Sequence, residues 1–265
     1  MFEWASQFFF MVKKTTKTAV AGADAIKSST AAQLPHYKLT LKCQSPKQKE
    51  FVKALKEDKN EICFGIGSAG TGKTFLSIAT ALSLLKNASN GFKKIVIFVT
   101  TCESTKELQL GYLKGELQDK IEPYRQNSIN TIEKILEQSG NTNPKELAKE
   151  LIDKGFIQFD LINFIKGKTY ENCICILEEA EDLSREDMKL ILTRKGGPTC
   201  KMICTGDTKQ INRADLRKNI DKSGLKFSAD ILGSMEQVAV TTFTNQDIVR
   251  DPLLTEIITR FEQNM

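Results

Sequence analysis

The chain alternates between short unbroken apolar runs and longer stretches in which apolar residues return every three or four positions. Runs of the first kind occupy residues 61–66, 94–100 ("KIVIFVT"), 173–177 and 201–205, with weaker ones at 156–159 and 238–243. Neighbouring side chains of a strand point to opposite faces, so a run that is apolar throughout predicts a strand buried on both. Helical spacing marks 45–56, where Phe51, Val52 and Leu55 fall on one side, and also 74–85, 131–138, 144–153, 184–193, 220–231 and 247–261. Local signals agree: Pro144 stands where proline opens a helix, and Ser184 is followed three residues later by Asp187, a capping pair. Buried strands alternating with helices predict an α/β fold, a mostly parallel central sheet flanked by helices on both faces. In such sheets ligands bind beyond the carboxyl ends of the strands.

The pattern fails at the start of the chain. Residues 1–40 are rich in Lys, Thr, Ala and Ser and show little periodicity, which predicts a partly ordered arm ahead of a packed domain over 41–265, with packing beginning near Tyr37. Within the arm, "FFFMV" (8–12) is too short to span a bilayer, and Glu3 breaks the basic leader that a signal peptide needs. We expect it to dock on the protein or on a neighbouring subunit, and we expect a cytoplasmic protein without a membrane segment.

Composition adds limits rather than direction. A chain of 265 residues can bury a full core without cross-links, and a net charge of +5 is compatible with a polyanionic partner without requiring one. The seven cysteines are odd in number and several lie in the apolar runs, which argues against a disulfide framework. Cys173 and Cys175 share a strand face, but no CxxC pair accompanies them and His36 is the one histidine in the chain. The spacing therefore reads as reduced core thiols rather than a zinc site.

Chemistry enters at "GSAGTGKT". Gly67-x-x-x-x-Gly72-Lys73-Thr74 follows a predicted strand and opens a predicted helix, the context a Walker A loop requires. Its glycines let backbone N–H groups turn toward phosphate oxygens, and the helix adds its positive end. The candidate nucleotide-binding residues are Gly67, Ser68, Ala69, Gly70, Thr71, Gly72, Lys73, Thr74 and Phe75. Lys73 is placed to neutralise the β- and γ-phosphates of ATP, and the Thr74 hydroxyl to ligate Mg²⁺. A second motif, "CICILEEAE", ends a buried strand in Glu178 and Glu179. One carboxylate would help hold the magnesium, with Glu178 the candidate ligand, and the other would orient or deprotonate the attacking water. Glu181 and Asp182 read as the solvated start of the next helix. A third strand ends in Thr205-Gly206-Asp207 with Gln210 beyond it. This end either senses the γ-phosphate and positions water or is ordinary turn chemistry.

These blocks resemble, in order and spacing, the PhoH-like family of P-loop ATPases, related to the superfamily-one helicase core. "SPKQKEFVKAL", "GYLKGELQDKIEPY", "MKLILTR", "SGL" (223–225) and "TNQDIVRDPLLTEIITRFE" match as well, so the resemblance covers about 40–262. It implies a RecA-like P-loop fold, ATP hydrolysis to ADP and phosphate with Mg²⁺, and an adenine-reading role for Gln48. Four departures stand out. Glu178 replaces an aspartate, Glu181 replaces a glutamine, Thr100-Thr101-Cys102 replaces Thr-Arg-Pro, and "FIKGKT" carries Lys166 and Lys168 where arginines are usual. Lysine keeps the charge but loses bidentate phosphate geometry.

Two arginines could stabilise phosphoryl charge, Arg250 in "DIVRDP" and Arg194 in "MKLILTR", in cis or across a subunit boundary; the alternative for each is a surface ion pair. A finger in trans implies a homo-oligomer, with a closed ring, a hexamer foremost, the natural assembly. For nucleic acid, Lys93, Lys94, Lys114, Lys166, Lys168, Lys195 and Lys201 are spread through expected loops, with Phe92, Tyr112, Phe164 and Tyr170 near some of them. Such pairs suit single-stranded RNA or DNA, though each ring alone reads as packing. The resemblance implies coupling to a single strand. The competing expectations are an ATP-gated ring-assembly protein and a nucleotide-dependent binding module, each with little turnover. A single motor domain is not expected to unwind duplexes alone.

Overall fold

The computed structural model describes residues 32–99, 117–211, 216, 223–249, 253, 256–257 and 260–261. Met1–Gln33 and Leu34–Met265 are separate units, and the sheet with its helices belongs to the second. The aromatic run at 8–12, Thr100 to Cys102, Tyr112, Lys114 and Arg250 lie outside the described residues.

Six parallel strands form one sheet in the order β3-β2-β4-β5-β1-β6. They are β1 (Ile62–Ile66), β2 (Lys94–Val99), β3 (Ile157–Leu161), β4 (Cys173–Leu177), β5 (Cys200–Gly206) and β6 (Val238–Thr242). The described helices are α1 (Pro46–Lys56), α2 (Lys73–Lys86), α3 (Leu117–Gln138), α4 (Pro144–Asp153), α5 (Arg185–Leu192) and α6 (Gly224–Leu232). Most apolar runs became strands and most periodic stretches became helices within a residue or two. One expectation is corrected: the helix read at 131–138 is the end of α3, which begins at Leu117 and runs through Pro123. Its first part carries Pro123 and few apolar residues at helical spacing, so periodicity alone marks only its end. The segment expected to be helical from 247 starts instead with a short 3₁₀ turn, Asn245–Asp247.

Alternation along each strand builds two cores. On one face Cys63, Ile95, Ile97, Ile174, Ile176 and Ile203 meet residues of α1 to α4. On the other, Phe64, Val96, Phe98, Cys173, Cys175, Cys200, Met202 and Cys204 meet Met188 and Ile191 of α5 and Leu225 and Ala229 of α6. Packing begins before α1: Tyr37 is fully buried, donates from its hydroxyl to the Leu82 carbonyl at 2.8 Å, and Leu34, Leu39 and Leu41 lie against the first core. No described helix is long and apolar enough to cross a membrane.

Because every strand runs the same way, all carboxyl ends meet at one edge. The glycine-loop strand β1 and the acidic strand β4 are not neighbours; β5 lies between them. The Thr205-Gly206-Asp207 end is thereby set between the loop and the carboxylates.

Candidate active site

The glycine loop leaves β1 at Gly67 and returns the chain to α2 through Gly72, whose backbone is left-handed at φ 84°. Gly67 is the most restrictive position: at φ 146°, an added Cβ would lie 2.3 Å from the Phe243 carbonyl oxygen. That closeness exists because the segment after β6 braces the loop from behind. Ser68 Oγ donates to Asn245 Oδ1 at 2.6 Å, and the Val249 N–H donates to the Gly70 carbonyl at 3.0 Å. Ser45, the N-cap of α1, donates to Asp247 Oδ1 at 2.8 Å and ties that brace to α1. Asp207 completes the cage, its Oδ2 accepting from the Ala69 N–H at 3.0 Å. The bonds to Ala69 and Lys209 show it acting as both turn residue and loop clamp.

Lys73 opens α2 and curls over the loop, donating to Gly67 O at 2.6 Å, Ser68 O at 2.9 Å and Thr71 Oγ1 at 3.3 Å. Gln48, buried in α1, reaches the same loop: its Nε2 donates to the Thr71 carbonyl at 2.9 Å, and its Oε1 accepts from the Gln44 N–H. A cleft of about 780 Å³ opens over these groups. Its walls bring together Gln48, Ala69, Gly70, Gly72, Lys73, Thr74 and Phe75 with Glu179, Asp207 and Gln210. The sequence missed other wall residues. Lys42 comes from the segment before α1, and Thr131, Lys134 and Gln138 come from one side of α3. No motif marks them; only their helical spacing at three and four residues hints at a shared face.

The acidic strand end divides its carboxylates. Glu179 lines the cleft from a left-handed backbone, φ 51°, unusual for a side-chain-bearing residue. Glu178 is half-buried and is not among the wall residues. Its Oε2 accepts from Ser128 Oγ of α3 at 3.1 Å, while its buried Oε1 has no partner among the described residues. Burial lifts its pKa to about 7, against the hydrogen bond from Ser128 and with a smaller push from the Glu179 charge.

The reading of Glu181 and Asp182 as solvated is overturned: they are 6% and 4% exposed. The short 3₁₀ turn after β4 folds back under β5, and Glu181 enters the cleft wall. The room comes from Gly206, where a Cβ would stand 2.2 Å from Glu181 Oε2. Burial raises this carboxyl to about 7 although backbone N–H groups of Glu181 and Asp207 oppose the shift, and Oε2 has no partner among the described residues.

Arg194 sits elsewhere. It lies in the turn that leads from α5 into β5, and its carbonyl accepts from the N–H of Tyr170, just before β4, at the amino ends of the strands. The residues present fit a triphosphate with its Mg²⁺. The glycine-built loop, the Lys73 ammonium and the start of α2 supply donors and positive charge, and Thr74 with the cleft carboxylates Glu179 and Glu181 supply hard oxygen ligands.

The basic and aromatic residues divide too. Lys201 lies in β5 rather than a loop, buried, with its ammonium on the carbonyls of Glu57 and Asn60. Tyr170 is buried and Lys195 pairs with Glu61, whereas Phe164 is exposed.

A glycine loop between a buried strand and a helix, facing the ends of an acidic strand and a Thr-Gly-Asp strand on a parallel sheet, defines a P-loop NTPase fold of the RecA-like kind. Within that class the chain belongs to the PhoH-like family, whose profile, "PhoH: PhoH-like protein", matches residues 40–262. It is 33% identical over 216 residues to the "PhoH-like protein" of Bacillus subtilis (strain 168), covering 82% of this chain and 62% of that protein. The "PhoH-like protein" of Synechocystis sp. is 32% identical over 218 residues, covering 82% of this chain and 61% of its own length. "Protein PhoH" of Escherichia coli (strain K12) is 27% identical over 206 residues, covering 78% and 54%. The chain thus spans about six-tenths or less of the length of these curated relatives. Among solved structures, the Pif1 helicase of Candida albicans is similar over 78% of this chain and 42% of its own, with a TM-score of 0.34 and 14% identity.

Proposed function

We propose that this chain binds ATP with Mg²⁺ in the cleft over the glycine loop and hydrolyses it to ADP and phosphate. One observation carries the reading: loop, lysine, acidic strand end and Thr-Gly-Asp strand end face a single cleft at the carboxyl edge of the sheet. In this reading the loop N–H groups and Lys73 hold the phosphates, and Gln48 and Phe75 lie toward the base. Thr74 would ligate Mg²⁺ directly and Glu178 through a water, which would take up the extra methylene of its side chain. When bound, Mg²⁺ draws charge from the β- and γ-phosphates. Glu179 orients the attacking water and takes its proton, and Gln210 reports on the γ-phosphate. Arg250 serves as the finger, across a subunit boundary in a ring. Arg194, at the other end of the strands, fits the reaction only from a neighbouring subunit.

Coupling to single-stranded RNA or DNA is the further part of the proposal, and the family likeness supports it more than any surface does. The second reading is an assembly protein in which ATP stabilises a ring with little turnover. It is favoured by Leu253 and Phe261, each 66% exposed, as apolar side chains a neighbouring copy would cover. The test is ATP turnover by the native chain and by Lys73→Ala, with and without single-stranded RNA. We expect at least a ~100-fold loss in the variant, as for other preorganised charge-stabilising groups, with an unchanged circular dichroism spectrum. Undiminished turnover by Lys73→Ala would remove the site assignment. Turnover that ignores RNA, beside an ATP-dependent rise in mass, would favour assembly.

A further inference from the structure

A second cluster of reactive side chains lies at the opposite edge of the sheet. Cys173 and Cys175 of β4 and Cys200 of β5 are buried, free thiols, and their sulfurs all lie within 4.8 Å of one another. Spacing along the sequence hid the third member. Cys200 is 25 residues beyond Cys175, yet register places it directly opposite Cys173 on the neighbouring parallel strand.

The geometry is convergent. Residues two apart on a strand are separated by about 6.6 Å along it, yet the Cys173 and Cys175 sulfurs stand 3.7 Å apart. Both side chains therefore lean toward one point, the point Cys200 also approaches. Three sulfurs around one ion at about 2.3 Å stand about 3.8–4.0 Å from each other, which falls inside the observed spread. Composition singles out the same place. The helix-covered face on the other side of these two strands carries Ile174, Ile176 and Ile203, the β-branched residues usual in buried parallel strands. The thiol face carries Cys173, Cys175, Cys200, Met202 and Cys204, with Met202 registered opposite Cys175. Positive charge stands near: Lys94 acts on Cys173 and Lys195 on Cys200.

We propose that Cys173, Cys175 and Cys200 form a closed site for one thiophilic d¹⁰ cation, Zn²⁺ or Cu⁺. Thiolate ligands select these ions over the Mg²⁺ that suits the oxygen-lined nucleotide cleft. The ion joins β4 to β5 at their amino ends and completes its coordination with the Met202 thioether or with three sulfurs alone. The role is structural, because the three cysteines are buried and lie at the opposite ends of the strands from the phosphate loop.

The test takes the full chain, purified without oxygen and stripped with a chelator, and titrates it with Zn²⁺ or, separately, with Cu⁺ as its acetonitrile complex against a chromophoric competitor. We expect one ion per chain, and an affinity loss in Cys175→Ala and Cys200→Ala larger than the ~10–100-fold that removal of an outer-shell partner costs. Cys204→Ala, a buried cysteine of the same face outside the cluster, should bind as the native chain does. X-ray absorption at the metal edge of the loaded native chain should show three sulfurs at about 2.3 Å, which tests the site even if the variants fail to fold. A first shell of nitrogen and oxygen alone, binding unaffected by the substitutions, or no binding by either ion would overturn the proposal. So would a Cys173–Cys200 disulfide in the anaerobic protein.

Discussion

At the residue scale the candidate site depends on carboxylates that are costly to bury. A buried oxygen without a partner costs about 1–3 kcal/mol, and among the described residues this site holds two, Glu178 Oε1 and Glu181 Oε2. Glu181 allows a direct check because it is almost wholly enclosed. Its carboxyl is raised from 4.5 to about 7 in the folded chain. The folded state therefore holds a proton that the unfolded chain has released. Its contribution to stability is complete below the ordinary carboxylate value and is lost as pH rises through about 7. The full span is on the order of 3 kcal/mol. Glu181→Gln should remove this part of the pH dependence. Denaturant unfolding without Mg²⁺ should show the variant gaining on the native chain from pH 6 to pH 8, and an unchanged gap would refute the buried, proton-holding Glu181.

At the element scale the loop is held by what lies behind it. Ser45 caps α1 through the Gln48 N–H at 3.2 Å and also binds Asp247, so one hydroxyl links the helix that carries Gln48 to the segment that braces Ser68 and Gly70. Ser45→Ala should cost about 1–2 kcal/mol, the upper range for a lost cap, and lower the melting temperature by several degrees. It should also weaken nucleotide affinity, which a surface cap elsewhere would leave alone. Ser184→Ala is the comparison: its capping box on α5 lies away from the loop, so stability should fall while affinity holds. Equal nucleotide affinities in the two variants would break the link between α1 and the loop.

At the scale of the whole molecule the proposed ring can be tested. A ring with an arginine donated from the next subunit predicts hydrolysis that rises more steeply than linearly with protein concentration until the ring is full. Light scattering over the same concentrations should show the mass rising with the specific activity. Constant specific activity across a change in mass would place the whole catalytic set within one chain.

The sequence alone was enough for the loop, its strand and helix, the parallel α/β fold and most element ends. All of these depend on local signals: period, capping residues, proline, and glycines that only certain turns require. Gln210 was marked by its place beyond the Thr-Gly-Asp strand end and Gln48 by the family resemblance, and both line the cleft. Tertiary structure decided what depended on partners far along the chain. Glu181 became a buried wall residue because Gly206, on another strand, leaves space for its carboxylate. Glu178 found Ser128 because α3 is longer than its apolar period suggested. Arg194 fell at the far edge because the turn after α5 leads back to the start of β5. The three thiols met because strand register, which no spacing along one segment records, set Cys200 opposite Cys173.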